Sequence, residues 1–325
     1  MGQPVFVCGC PRSGTTLVQL MLHAHARIAI PPETRFVLEA YRARRAFGDL
    51  RESGARRALA RWIVDRPETR FADLGLSAEE TIEEITAGPP TLGSALAIPL
   101  QGYAQRFGKS RWGDKRPAYV TNLPALARLF PDALFVHVIR DGRDCVASLK
   151  QMPWHRTGIY QAISAWAQAV DHGRWAARVL GPGAYHEIRY ERLVTNVGPE
   201  LAALCRFLHE EYDPAMTDPA ALATLAVPDR KSWHARTRSA IGPDRIGRWR
   251  SILEPWEAGL CEAVLGGRLR SLGYPLTGAP PPPAVHRLRY ERVAARHRLA
   301  PLRRLAIRGH DRLPLTTPLA YRPCD

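Results

Sequence analysis

The sequence predicts an α/β fold in which a doubly wound parallel sheet is flanked by helices and carries a phosphate loop. Three observations predict it. Residues 9–16, Gly-Cys-Pro-Arg-Ser-Gly-Thr-Thr, fit the frame G-x-x-x-x-G-K-[ST] except that Thr15 stands where the lysine belongs. Residues 133–139, Ala-Leu-Phe-Val-His-Val-Ile, are the nearly continuous apolar run of a strand buried on both faces. Strand-like and helix-like segments alternate along the rest of the chain, the pattern of a parallel sheet.

The first element is Val5-Phe6-Val7, a strand that enters the loop; Thr16 to Leu22 then has helical character. In this context Ser13, Gly14, Thr15 and Thr16 present backbone N–H groups and a helix N-terminus to one anion, with Arg12 beside them. The lysine that reads β- and γ-phosphates is missing, and so is an apolar strand ending in a carboxylate for magnesium. A single phosphate or phosphosulfate suits the loop better than ATP. Residues 33–108 read as mostly helical, broken by Gly48, Pro67 and Gly88-Pro89-Pro90, and as an insertion over the crevice. A helix over 119–130 precedes the central strand, which ends at Arg140. Asp141-Gly142-Arg143-Asp144 and a helix containing Ser148 follow. Arg140 at a strand end, with Ser148 two helical turns later on the same face, makes a receptor for a second phosphate, because a guanidinium fork matches phosphate oxygens. Two anion sites imply a bisphosphorylated nucleotide. A long amphipathic helix over 159–180, a strand over 185–189 and a helix over about 199–210 come next. An irregular Arg- and Trp-rich stretch over 229–249 leads to a helix over about 255–271. Gly278 to Pro283 reads as a semi-rigid linker to a basic tail.

With 325 residues and 46% hydrophobic content, the chain can bury a large core. The expected division is one α/β domain over 1–275, then a proline-rich linker and basic tail over 276–325. No stretch reaches the roughly 20 apolar residues of a membrane span, and the loop lies too near Met1 for a secretory leader. The frame for N-myristoylation fails at Phe6. Six cysteines form no C-x-x-C pair, which agrees with a reducing cytoplasm. His23 and His25, two apart, lie on different helical faces and read as structural; no metal is expected. The formal charge of +15 raises nucleic-acid binding as a class. However, nearly half of the excess lies from Val285 onward, with ten Arg against three acidic residues, and no recognised binding motif accompanies it. Only four of the 46 basic residues are lysines, which singles out Lys115 inside a motif.

Pro11-Arg12-Ser13-Gly14-Thr15-Thr16-Leu17, followed by Val138-Ile139-Arg140-Asp141-Gly142-Arg143 with Ser148, resembles the 5′- and 3′-phosphate motifs of sulfotransferases that use 3′-phosphoadenosine 5′-phosphosulfate (PAPS). The tyrosylprotein branch is the most similar. Pro32-Glu33-Thr34-Arg35 resembles its acidic catalytic segment, Gly113-Asp114-Lys115-Arg116-Pro117 its lysine segment, and Tyr190-Glu191-Arg192-Leu193 a further cofactor-pocket motif. The resemblance implies PAPS as co-substrate, Glu33 as the base that takes the acceptor's proton, and Lys115 at the oxygen bridging sulfate and phosphate. Arg12 and the loop would orient the phosphosulfate, Arg140 and Ser148 would bind the 3′-phosphate, and Tyr190 would contact the nucleotide or pack as a buried aromatic. Ser239 and Arg248, before Trp249, resemble a late segment that closes over the cofactor. Ile30 stands where the animal Golgi members have a cysteine, which agrees with a bacterial-type, cytoplasmic form.

The acceptor is a hydroxyl, either protein tyrosine or a small phenol, sugar or lipid. Arg35 keeps one of the basic residues that engage acidic peptides in the tyrosylprotein branch, whereas Glu39 stands where that branch has a basic residue and would repel them. Outside this family, a P-loop kinase or NTPase is opposed by Thr15 and Arg140. In the tail, basic residues alternate with Leu and Ala from Leu288 to Leu305, a pattern open to anionic lipid, to a protein partner, or to a solvated extension packed on the body.

Overall fold

A computed structural model describes residues 2–218, 242–307 and 318–322. Five strands, β1 (Val5–Gly9), β2 (Ile28–Ala29), β3 (Arg111–Lys115), β4 (Leu134–Ile139) and β5 (Tyr185–Arg189), form one sheet in the order β2-β3-β1-β4-β5. Every pairing is parallel, with Val7 beside Lys115, Gly9 beside Val138 and Ile139 beside Arg189. The chain starts at the centre, runs out to β2, returns through β3 and crosses to β4 and β5. This doubly wound order opens a crevice at the carboxyl ends of β1, β3 and β4.

Alternation along the strands builds two cores. Val5, Val7, Val136, Val138 and Ile188 face α1 (Thr15–Ala24) and, beyond β5, α9 (Tyr190–Thr195) and α10 (Val197–Leu208). Phe6, Cys8, Phe135 and Tyr185 point to the larger opposite core. There the Phe6 ring lies 5.0 to 6.1 Å from those of Phe130, Tyr119, Phe135 and Trp112.

The stretch expected to be a helical insertion consists of α2 (Phe36–Ala43), α3 (Ser53–Asp65), α4 (Ala78–Ala87) and α5 (Leu92–Arg106). Its breaks fall at the predicted punctuation: Gly48 ends a 3-10 turn at φ 75°, Pro67 opens another, and Gly88 caps α4. The helix expected over 119–130 is divided into a 3-10 turn, Pro117–Asn122, and α6 (Leu123–Leu129), with Pro124 in the first turn of α6, where its missing N–H leaves no intrahelical bond unmade. α7 (Gly142–Lys150) follows β4, and α8 (Ile159–Leu180) and β5 have the expected bounds.

The sequence reading missed β3. Arg-Trp-Gly-Asp-Lys lacks an apolar run, yet all five residues are buried. Partners make that burial tolerable: Arg111 donates to Gln3 O and pairs with Glu210, while Asp114 is hydrogen-bonded on both oxygens.

After the sheet come α11 (Trp249–Ile252) and α12 (Pro255–Ser271). The proline-rich stretch is fastened to the body: Thr277, Gly278 and Ala279 donate backbone N–H groups to the Glu262 carboxylate. α13 (Ala284–Ile307) then packs on α8, burying Tyr290 and Ala294. Residues 318–322 lie against α5 and α6, where Leu92 and Gly93 donate to Pro318 O and Leu319 O. A side chain at Gly93 would come within 2.5 Å of the backbone of Leu129 and Tyr321. Among the described residues no helix is long and apolar enough to cross a membrane.

Candidate active site

The site lies at the carboxyl ends of β1, β3, β4 and β5. The phosphate loop turns sharply between β1 and α1: Ser13 N donates to Cys10 O, and Arg12 and Gly14 hold positive φ of 72° and 105°. Gly14 is required twice, by its φ and because a Cβ there would stand 2.6 Å from Tyr190 Cδ2. No side chain caps α1, and Ser13 Oγ is buried without a hydrogen-bond partner among the described residues. The loop is therefore built to receive an acceptor group from outside.

The second anion element is continuous with the first. Arg12 Nε donates to Ser148 Oγ at 3.0 Å, and Arg140 Nη1 donates to Arg12 O at 3.3 Å. Arg140 lies 4.5 Å over the Tyr190 ring, and its buried Nε has no hydrogen-bond partner among the described residues. It also stands 3.7 Å from Asp144, whereas Asp141 pairs with Arg143. Asp144 accepts from Gly247 and Trp249 backbone N–H groups, which ties the late segment to α7. Burial, then Arg245, then Arg140, lowers the Arg12 guanidinium to about 10. Asp144 and Asp244 stand 3.7 and 3.8 Å from Arg140 and Arg245, and the three crowded guanidiniums, two of them mostly buried, make a setting suited to a further anion. Arg245 is the residue that sequence reasoning missed. It lies in a stretch without periodicity, and only the fold brings its carbonyl to Arg140 Nη2, at 2.6 Å. Arg248 precedes α11, and Ser239 lies outside the described residues.

Glu33 and Lys115 meet on the other side of the loop. Gln19 donates to Pro31 O and Ile30 N donates to His23 Nδ1, so α1 fixes the segment that carries Glu33. These contacts give His23 its structural role. The Lys115 ammonium, at the end of β3, is 3.5 Å from the Glu33 carboxylate and 3.4 Å from Thr16 Oγ1. Lys115 is buried and Glu33 partly open, with side-chain exposures of 3% and 22%. Asp114, the neighbour of Lys115 in β3, is itself buried and accepts from Thr34 Oγ1, Tyr119 OH and the Lys115 N–H. Burial lowers the Lys115 pKa, opposed by Glu33 and Asp114, and Arg70 lowers it further. Arg35 is exposed beside this pair, its N–H bonded to Thr69 O. Glu39 is held by Arg42 at 2.9 Å and Arg116 at 3.2 Å. Burial raises its pKa, but the two arginines outweigh this and lower it. The carboxylate expected to repel an acidic acceptor already has its counter-charges.

The arrangement, two contiguous anion receptors beside a carboxylate–ammonium pair on a doubly wound sheet, defines a class of nucleotide-dependent group-transfer proteins. Residues 4–214 match the model of the Sulfotransferase family, and the chain belongs to that family. Protein-tyrosine sulfotransferase of Drosophila melanogaster is 24% identical over 65% of this chain and 39% of its own length. Protein-tyrosine sulfotransferase 2 of Gallus gallus is 26% identical over 63% and 50%. The chain thus spans half or less of the length of these two curated relatives. Among solved structures, the sulfotransferase domain from the Synechococcus PCC 7002 olefin synthase superposes with a TM-score of 0.52 at 23% identity, covering 78% of this chain and 90% of that one. The sulfotransferase domain from the curacin biosynthetic pathway gives 0.52 at 19%, covering 82% and 98%. These two share the fold.

Proposed function

We propose that the chain is a PAPS-dependent O-sulfotransferase, with residues 1–275 as the catalytic unit. The observation that carries this reading is the placement of Lys115 between Glu33 and Thr16, which puts a buried cation and a carboxylate at the mouth of a phosphate loop that lacks the NTPase lysine. The residues present fit the nucleotide: Ser13 Oγ and Arg140 Nε are buried polar atoms without a hydrogen-bond partner among the described residues, one in each anion receptor. When bound, PAPS supplies an activated sulfuryl group between its 5′-phosphate and the acceptor. Ser13, Gly14, Thr15 and Thr16 would hold the 5′ end. Arg140, Ser148 and Arg245 would hold the 3′-phosphate, with Arg12 orienting the phosphosulfate from the loop while its bond to Ser148 ties it to this receptor, Tyr190 buttressing Gly14 and Arg140, and Arg248 contributing from the late segment.

Glu33 takes the acceptor's proton. A phenol with a pKa near 10 is a poor nucleophile at neutral pH without such a base. Lys115 holds positive charge where the leaving phosphate gains negative charge, and it also fixes Glu33. Protein tyrosine is the acceptor that the names of the relatives support, and the neutralised Glu39 and exposed Arg35 are compatible with acidic flanking residues. A small phenol, sugar or lipid is the alternative. The five described cysteines are free thiols, in keeping with a cytoplasmic setting.

The test is transfer of radiolabelled sulfate from PAPS to a tyrosine peptide with acidic flanks and, separately, to a simple phenol. Label on the peptide supports the tyrosyl reading, and label on the phenol alone moves the acceptor class. The absence of transfer to either, together with magnesium-dependent ATP binding, would contradict the proposal.

A further inference from the structure

The helix α13 presents two faces of different kinds. The inner face, His286, Tyr290, Ala294 and His297, recurs at spacings of three and four and packs against α8. Tyr160 OH meets His286 Nδ1 at 2.7 Å, Ser164 Oγ meets His297 Nδ1 at 2.8 Å, and the Trp256 ring stacks on His286 at 3.8 Å. The helix is thereby fixed in rotation as well as in place.

Half a turn away, where a surface helix is ordinarily polar, lie Val285, Leu288 and Leu299, exposed by 50%, 53% and 46%. Arg289, Arg292 and Arg296 are exposed on the same face. At 100° per residue these six fall within about a third of the circumference, opposite Tyr290. No acidic residue shares the face; Glu291 lies on the flank.

We infer that the outward face of α13 docks on an anionic lipid bilayer surface. Apolar side chains interspersed with arginines on one fixed helical face suit a helix lying in the headgroup plane: the arginines meet lipid phosphates while Val285, Leu288 and Leu299 enter the acyl boundary. Other occupants fit less well. A second copy apposed face to face would set arginine against arginine. A nucleic-acid backbone would satisfy the arginines but gives three aliphatic side chains nothing apolar to enter. This docking is independent of which acceptor the active site takes, since none of the six residues belongs to that site.

The full-length protein is floated with vesicles of phosphatidylcholine alone and of phosphatidylcholine containing phosphatidylglycerol. Binding is expected only with the anionic vesicles. Each Arg→Gln change should weaken it about fivefold, and Leu288→Glu with Leu299→Glu should abolish it. Both sets of variants should keep the wild-type rate on a soluble acceptor, which shows that they fold. Failure to bind anionic vesicles would overturn the inference. So would vesicle binding indifferent to the two leucine changes, or a leucine-independent preference for duplex DNA over the vesicles.

Discussion

Arg12 and Ser148, 136 residues apart, are joined by a hydrogen bond of 3.0 Å. This bond makes one receptor of the phosphate loop and the β4–α7 turn, which the sequence presents as two separate motifs. Arg140 reinforces it through Arg12 O, and Arg245 adds a third guanidinium.

The cluster predicts graded losses of nucleotide affinity. Arg140→Ala should weaken binding of adenosine 3′,5′-bisphosphate about 10- to 100-fold, the worth of a charge-assisted contact. Arg245→Ala should cost less, because its side chain is more open, and both losses should shrink as salt is raised. Isothermal titration measures them; equal binding by wild type and Arg140→Ala would remove Arg140 from the site.

Gly14 tests the loop's shape. Gly14→Ala forces a Cβ to 2.6 Å from the Tyr190 ring at a φ of +105°. It should abolish nucleotide binding, and Tyr190→Ala should restore only part of it, because the clash is relieved while the backbone strain remains. Titration of the single and double variants reads the outcome.

Lys115 gives the pH dependence of the reaction. Burial lowers its pKa below that of a free lysine, against the opposing pull of Glu33. If the ammonium is required, the rate falls as pH rises through this lowered pKa, so the alkaline limb lies below the usual 10.5. Lys115→Arg should move that limb upward at a reduced rate, and Lys115→Met should lose about 100-fold or more in kcat. A pH–rate profile whose alkaline limb is the same in Lys115→Arg would exclude the role.

Two buried histidines predict acid sensitivity of the fold. Burial, then Lys109, lowers His23 to about 4; burial, then Arg189, lowers His137 to about 3. Below about 6.5 the unfolded chain takes up protons that the native protein refuses, so the stability present above that pH declines as pH falls toward 4. The slope is on the order of 1.4 kcal/mol per pH unit for each histidine. Urea midpoints between pH 7 and 4.5 should show the decline, and His137→Asn should flatten it by roughly half.

Much of this was legible in the sequence because it rests on local rules. The apolar run of β4 needs no partner to be recognised, and Gly14 and Arg140 follow from loop and strand-end chemistry. β3 was hidden because its buried polar residues are satisfied by partners that only the fold supplies, Thr34 and Tyr119 for Asp114 and Glu33 for Lys115. Glu39 looked repulsive because Arg116, 77 residues away, could not be seen beside it. Arg245 carried no motif at all.

We propose that Glu33 serves the chemical step while the loop serves binding. The most direct test is single-turnover transfer from PAPS by wild type and Glu33→Gln, with affinity for adenosine 3′,5′-bisphosphate measured on both. Affinity within about twofold and transfer slowed by 10²–10⁴ is the predicted result. Transfer at the wild-type rate by Glu33→Gln would contradict it.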